Sequence, residues 1–303
     1  MTTELKRALD WGKLAPLRLR ARSVADGVYA GAHRSLRRGS GVEFGGHRAY
    51  VPGDDLRWLD RHALMRHDRL LVREFETETD RALRLVVDAS ASMAFRSPEA
   101  PGAKLGYAAL VAAALGRVAA ASGDPVGLDW LGGRRPTALP ASSGREAFDR
   151  IVGALESAVA GGDLSADTLA VERTLARVGQ HSGRGAVVVL LSDLVDLPPI
   201  TLDRLAALAV RGRVVVAVRI LDPVEVNFPF EGPVRLRASE GNAEVETDAR
   251  MSRAGYLEAL QDTARRWHAR LLERGGGLVR ASTTDDPVSV VRAVLDVAAA
   301  RRI

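Results

Sequence analysis

From Leu83 onward, short apolar runs alternate with longer segments whose apolar positions recur about every 3.6 residues, the rhythm of parallel strands joined by covering helices. LRLVVD (Leu83 to Asp88) is rich in branched residues and stops at a carboxylate, which predicts a buried strand. The alanine-rich stretch from Lys104 to Gly123 closes on glycine, as a helix does. A strand follows over Pro125 to Gly132, then helices over Glu146 to Ala160 and Ser165 to Val178, separated by Gly161-Gly162. AVVVLLSD (Ala186 to Asp193) is the most apolar strand of the chain and again ends on aspartate. A helix from Leu202 to Arg211 and a strand from Arg213 to Asp222 complete a further unit, whose crossover is expected to be right-handed. Three prolines and short alternating pieces between Pro223 and Arg250 predict a small β excursion. A helix over Ser252 to Glu273, a strand over Gly277 to Ser282 and a helix over Pro287 to Arg302 finish the pattern. The fold class is therefore α/β: a doubly wound, mainly parallel, Rossmann-like sheet with an N-terminal extension.

The rhythm starts only near residue 81, so the pattern divides the chain into an N-terminal segment, 1–80, and an α/β domain, 81–303. Residues 39–55, rich in glycine, proline and aspartate, are expected to form an ordered loop. Charge is uneven: residues 1–40 hold nine basic against three acidic side chains, net +6, in a chain whose total is +5. Such an arm suits an anionic partner or a solvated helix face. Its aromatic content is only Trp11 and Tyr29, which argues against nucleic-acid binding. The chain has no cysteine, which excludes disulfides, cysteine-ligated metal and thiol nucleophiles. The N-terminus, MTTELKRALDW, has no apolar stretch of secretory type, and no run of about 18 uncharged apolar residues occurs. The expectation is a cytoplasmic protein without a membrane span.

In open α/β sheets ligands bind beyond the carboxyl ends of the strands, so Asp88 and Asp193 are expected to be neighbours. Ser90 and Ser92 follow Asp88 in DASASM, placing one carboxylate and two hydroxyls in a single turn. Hard oxygen donors of this kind suit magnesium, with manganese or calcium as alternatives. The competing reading is that the serines cap a helix and the aspartates cap strand ends. Enzyme templates fit poorly: GxxxxGK[ST] and GxSxG are absent, and Ser90 stands where an aspartyl-phosphate enzyme needs a second carboxylate. His33, His47, His62 and His67 show no metal-ligand spacing, and Asp54 and Asp55 read as turn residues.

The Asp88, Ser90, Ser92 and Asp193 set resembles the metal-ion-dependent adhesion site of von Willebrand factor A-type domains. The resemblance implies one divalent cation held by these residues, with a threonine from a middle loop and a last position filled by a partner's acidic side chain. The middle loop here reads Gly161-Gly162-Asp163 where relatives often have Gly-Gly-Thr. Either Asp163 replaces the threonine, or Thr168 reaches in, or that ligand is missing. Upstream, Arg48, Tyr50, Gly53, Asp54, Asp55 and Arg57 form a compact run similar to the signature of domain of unknown function family 58. ILDPVE (Ile220 to Glu225), Tyr256 and TTDDP (Thr283 to Pro287) also fit that family, while Arg61 departs from its usual tryptophan.

The resemblance implies a non-enzymatic, metal-dependent interaction module of von Willebrand factor A-like fold. Its expected partner is a MoxR-type AAA+ ATPase, in protein assembly or maturation. Two other classes stay open from the residues: a metal-dependent phosphoester hydrolase, which would need a base near Asp193, and nucleic-acid binding through the basic arm.

Overall fold

The computed structural model describes residues 17–31, 82–134, 136, 138–209, 212–241 and 243–301, and the backbone of 43–49 and 71–76. The chain forms two compact units, one of residues 1–31 with 80–303 and a smaller one of 32–79.

The larger unit is built on a six-stranded sheet. In chain order its strands are β3 (Leu83–Ala89), β4 (Val126–Gly132), β5 (Leu139–Ser142), β6 (Val187–Ser192), β7 (Val214–Leu221) and β10 (Gly277–Ser282). They lie in the order β10-β7-β6-β3-β4-β5, all parallel to their neighbours except β5, which pairs antiparallel at the edge. The expected α/β, doubly wound, mainly parallel architecture is what the chain adopts. β5 holds a proline, which an edge strand tolerates.

Both faces of the sheet are covered, which is why its central strands are apolar at successive positions rather than at alternate ones. Leu83, Leu85, Val87 and Ala89 of β3 point into one core with Val187, Val189 and Leu191 of β6. Helices α1 (Leu17–Gly31), α2 (Lys104–Ala121), α3 (Arg145–Glu156) and α8 (Pro287–Ala300) cover that face. Val86, Val188 and Leu190 point into the second core, under α4 (Thr168–Gln180), α5 (Ile200–Ala209) and α7 (Ala249–Glu273). α2 has the length and apolarity of a membrane span, yet two-thirds of it is buried as the central helix of the first core.

The division at residue 80 is not the one the chain makes on its N-terminal side. Ala21, Val24 and Val28 of α1 are buried in the first core, where the helix packs on α2 and α8, so α1 belongs to the α/β unit. Two of its arginines are held by acids, Arg18 by Asp149 at 3.2 Å and Arg22 by Asp26 at 3.8 Å. In the smaller unit, β1 (Glu43–Ala49) pairs antiparallel with β2 (Leu71–Glu76), with a register shift between Phe44 and Gly46. The loop expected over 39–55 is therefore strand in its middle. Tyr50, Gly53, Asp54, Asp55, Arg57, Arg61, His33, His62 and His67 lie outside the described residues, as do the side chains of His47 and Arg48.

The expected excursion comprises a single turn, α6 (Pro223–Asn227), and a hairpin of β8 (Pro233–Arg237) and β9 (Glu244–Asp248). Its helical turn follows from Asp222, whose carboxylate accepts the Val224 N–H while Glu225 reaches back to the Asp222 N–H.

Candidate functional site

Chain order leaves β3 for β4 on one side and continues through β6 on the other, so the strand order reverses between β3 and β6. That is the point where open α/β sheets form a crevice, and the carboxyl ends of these two strands carry Asp88 and Asp193. Asp88 is 1% exposed. One of its carboxylate oxygens accepts the Ser90 N–H at 2.8 Å and the other accepts the Ser192 hydroxyl at 2.5 Å.

Ser90 precedes a single 3-10 turn, Ala91–Ala94, but its hydroxyl makes no capping bond. Instead it lies 3.1 Å from the Ser92 hydroxyl. Two adjacent oxygens of an octahedral magnesium shell, with bonds of about 2.1 Å, stand about 3.0 Å apart. The serine pair is hydrogen-bonded at a spacing that two ligands of one small cation would also have, and Ser90 makes no capping bond.

Burial and the neighbouring Asp193 push the Asp88 carboxyl up to about 7, against the hydrogen bonds from Ser192 and Ser90. Among the described residues no ammonium or guanidinium pairs with it. The site's one buried ammonium, Lys104 at the head of α2, is 1% exposed and pairs elsewhere. Its Nζ lies 2.8 Å from Asp193 Oδ2 and 2.6 Å from Glu225 Oε1. Burial alone would lower the Lys104 pKa; the two carboxylates carry it above its usual value.

The other Asp193 oxygen accepts the Val195 N–H at 3.2 Å. Leu194 between them has φ 60°, a left-handed conformation that costs a bulky residue about 1–2 kcal/mol. Burial of its side chain in the second core holds it there, with its N–H donating to the Ser192 hydroxyl at 3.0 Å.

The middle loop does reach the Asp88 turn. Gly161 N–H donates to the Ala89 carbonyl at 2.8 Å, and Ala91 N–H to the Gly162 carbonyl at 3.1 Å. Asp163, however, turns its carboxylate to its own loop, accepting from the Ser165 hydroxyl at 2.6 Å and the Ala166 N–H at 3.1 Å. These bonds hold its carboxyl below the usual range. Thr168 is the first residue of α4, behind the cap formed by Asp167. The fold thus brings together Asp88, Ser90, Ser92, Asp193 and the backbone of the middle loop, while the Asp163 carboxylate and Thr168 are engaged in local structure.

Donors of this kind, one carboxylate, two hydroxyls and a second carboxylate behind them, fit a small hard cation. The described residues contain no group of three or more acidic or imidazole side chains able to hold a metal by themselves, so any ion here depends on the serine hydroxyls.

Four participants escaped the sequence reading: Lys104, Ser192, Glu225 and Glu240. Lys104 left a signal as a charge heading an otherwise apolar helix, and Glu225 closes the ILDPVE run. Glu240, at the tip of the β8–β9 hairpin, places its carboxylate against Ser92 and Leu164. Among the described residues, three further motif positions have local roles. Asp285 accepts the Ser282 N–H, Asp286 caps α8, and Tyr256 lies 4.8 Å from the Phe228 ring.

The family described as "Protein of unknown function DUF58" matches residues 46–266. The uncharacterized proteins Mb1516 of Mycobacterium bovis and Rv1480 of Mycobacterium tuberculosis are each 34% identical over 246 residues, covering 78% of this chain and 74% of theirs. Among solved structures, the conserved hypothetical protein BatB from Bacteroides thetaiotaomicron is similar with TM-score 0.45 and 15% identity, over 73% of this chain and 98% of that one. A von Willebrand factor type A protein from Catenulispora acidiphila gives TM-score 0.38 and 13% identity, over 77% and 44%.

Proposed function

The chain belongs to the DUF58 family, and from that premise we propose that it is a protein–protein interaction module whose docking face is a divalent cation, magnesium first, at the β3–β6 switch point. The observation that carries this reading is the buried Asp88 carboxylate, paired with no cation among the described residues, beside two serine hydroxyls at a spacing that ligands of one ion would have. Asp88, Ser90 and Ser92 hold the ion. Asp193 contributes from behind, through a bound water or directly, because Lys104 already takes one of its oxygens. Asp163 is not a ligand in this arrangement. A cation with an incomplete protein shell attracts an acidic side chain from outside, which makes the site a docking point rather than a reaction centre.

The family resemblance names the partner to test, a MoxR-type AAA+ ATPase acting with this chain in the cytoplasm in protein assembly or maturation. Among the described residues the amine at the site, Lys104, is held as an ammonium between two carboxylates and so does not serve a hydrolase as its base. Co-purification of the chain with the AAA+ ATPase encoded nearest to it tests the reading. Capture is expected in millimolar magnesium, lost in chelator and lost with Ser92→Ala; capture indifferent to all three would overturn it.

A further inference from the structure

The β8–β9 hairpin is mostly exposed, Val245 included, yet its tip buries a single acidic side chain. Glu240 is 8% exposed, while Ser239 and Gly241 on either side of it are in solvent. Gly241, at φ +70°, allows the tight tip that turns the glutamate inward. One Glu240 oxygen accepts the Ser92 N–H at 3.4 Å and the other accepts the Leu164 N–H at 3.0 Å. Ser92 carries a candidate ligand hydroxyl and Leu164 follows Asp163, so this one carboxylate spans the first and middle loops of the site.

Among the described residues no cationic side chain forms an ion pair with Glu240. The hairpin's Arg235 is paired with Glu244 and Glu246. The nearby Asp196 is half-buried, and its carboxyl is raised by burial first and by Glu240 next. A buried carboxylate is compensated by hydrogen bonds or by a cation, and here two backbone N–H groups supply the first. Each carboxylate oxygen also has two lone pairs, so the two N–H bonds leave Glu240 able to coordinate.

We propose that Glu240 is the chain's own ligand for the ion, occupying the coordination position that a partner's acidic side chain must take. This inference rests on the metal reading above and deepens it. The resting protein caps its own docking site. A tethered carboxylate acts at an effective concentration of about millimolar or more, so a dilute free carboxylate does not displace it. A partner succeeds only if further contacts help to pull the hairpin tip away.

Manganese serves as the probe, with water-proton relaxation reporting how many waters the bound ion holds. Glu240→Gln keeps an acceptor for the loop N–H groups, and Glu240→Ala removes the side chain. Both variants are expected to bind manganese about tenfold more weakly, to gain the relaxivity of about one inner-sphere water, and to lose that gain on adding millimolar acetate. The unaltered chain, loaded with manganese, is expected not to respond to acetate. Equal relaxivity and equal acetate response in all three chains, with manganese bound in each, would overturn the role of Glu240 and leave the metal site standing. Failure of all three to bind manganese would overturn both.

Discussion

Replacing Lys104 with methionine removes an ammonium from between two carboxylates while keeping most of the apolar stem. Lys104 and Asp193 are almost fully buried, with side chains 1% and 2% exposed, and Glu225 is 22% exposed, so water cannot replace the lost partner at Asp193. Breaking a buried pair by deleting one member costs about 3–5 kcal/mol, because an uncompensated charge stays inside. For a unit of this size each kcal/mol moves the midpoint by about 2–4 °C, so Lys104→Met is expected to melt about 6–20 °C below the unaltered chain in chelator at pH 7.5. The second half of the prediction concerns the cause. Adding Asp193→Asn to Lys104→Met removes the stranded charge and is expected to recover a large part of the loss, since a buried pair as a whole contributes little. Scanning calorimetry or circular dichroism melts decide the matter. A change within about 1 °C for Lys104→Met, or a double variant less stable than the single one, would refute the reasoning.

Three further outcomes follow from the same geometry. Without metal, the Asp88 carboxyl titrates near 7 when folded against an ordinary value of 3.8. Its contribution to stability is therefore full below about pH 4 and is lost as pH rises through about 7, a loss of about 4 kcal/mol. Chemical denaturation in chelator from pH 4 to 8 is expected to show this fall in the unaltered chain relative to Asp88→Asn; parallel profiles would contradict it. Gly132, at φ +65° and with room for a Cβ only 3.0 Å from the Ser90 nitrogen, backs the Asp88 turn. Gly132→Ala is expected to cost about 1–2 kcal/mol from its backbone alone and to weaken magnesium binding by displacing Ser90, both readable by titration calorimetry and denaturant melts. Leu190→Ala, in the middle of β6 and fully buried, is expected to cost about 2–5 kcal/mol in denaturant melts while leaving the magnesium affinity unchanged.

The sheet was legible because β3, β6 and β7 are covered on both faces and are therefore apolar at nearly every position, the buried Arg84 of β3 and Arg219 of β7 being held by Asp129 and the Leu260 carbonyl. The Asp88 turn was legible for a related reason, since two such strands each ended on an acid and the switch-point rule made them neighbours. What escaped was set by tertiary contact. Glu43–Ala49 holds two adjacent glycines and a register shift, so its strand conformation comes from pairing with Leu71–Glu76, not from local propensity. β5 is four residues long and contains proline, too short to stand out from a turn. Glu240 and Glu225 reach the site from far along the chain, 148 residues from Ser92 and 121 from Lys104 respectively, and no local pattern marks such pairings. Asp163 was expected as a candidate ligand by analogy of position, and its carboxylate is hydrogen-bonded within its own turn to Ser165 and Ala166.

The central claim is that an ion sits on Asp88, Ser90 and Ser92, and a ligand that binds only the folded chain raises its stability by RT ln(1 + [L]/Kd). The most direct measurement is thermal unfolding of the unaltered chain and Asp88→Asn, each in chelator and then in magnesium or manganese at rising concentration. At a hundredfold excess over Kd the gain is about 2.7 kcal/mol, or about 5–11 °C, expected in the unaltered chain and absent from Asp88→Asn. No rise in the unaltered chain with either metal, or an equal rise in both chains, would contradict the account.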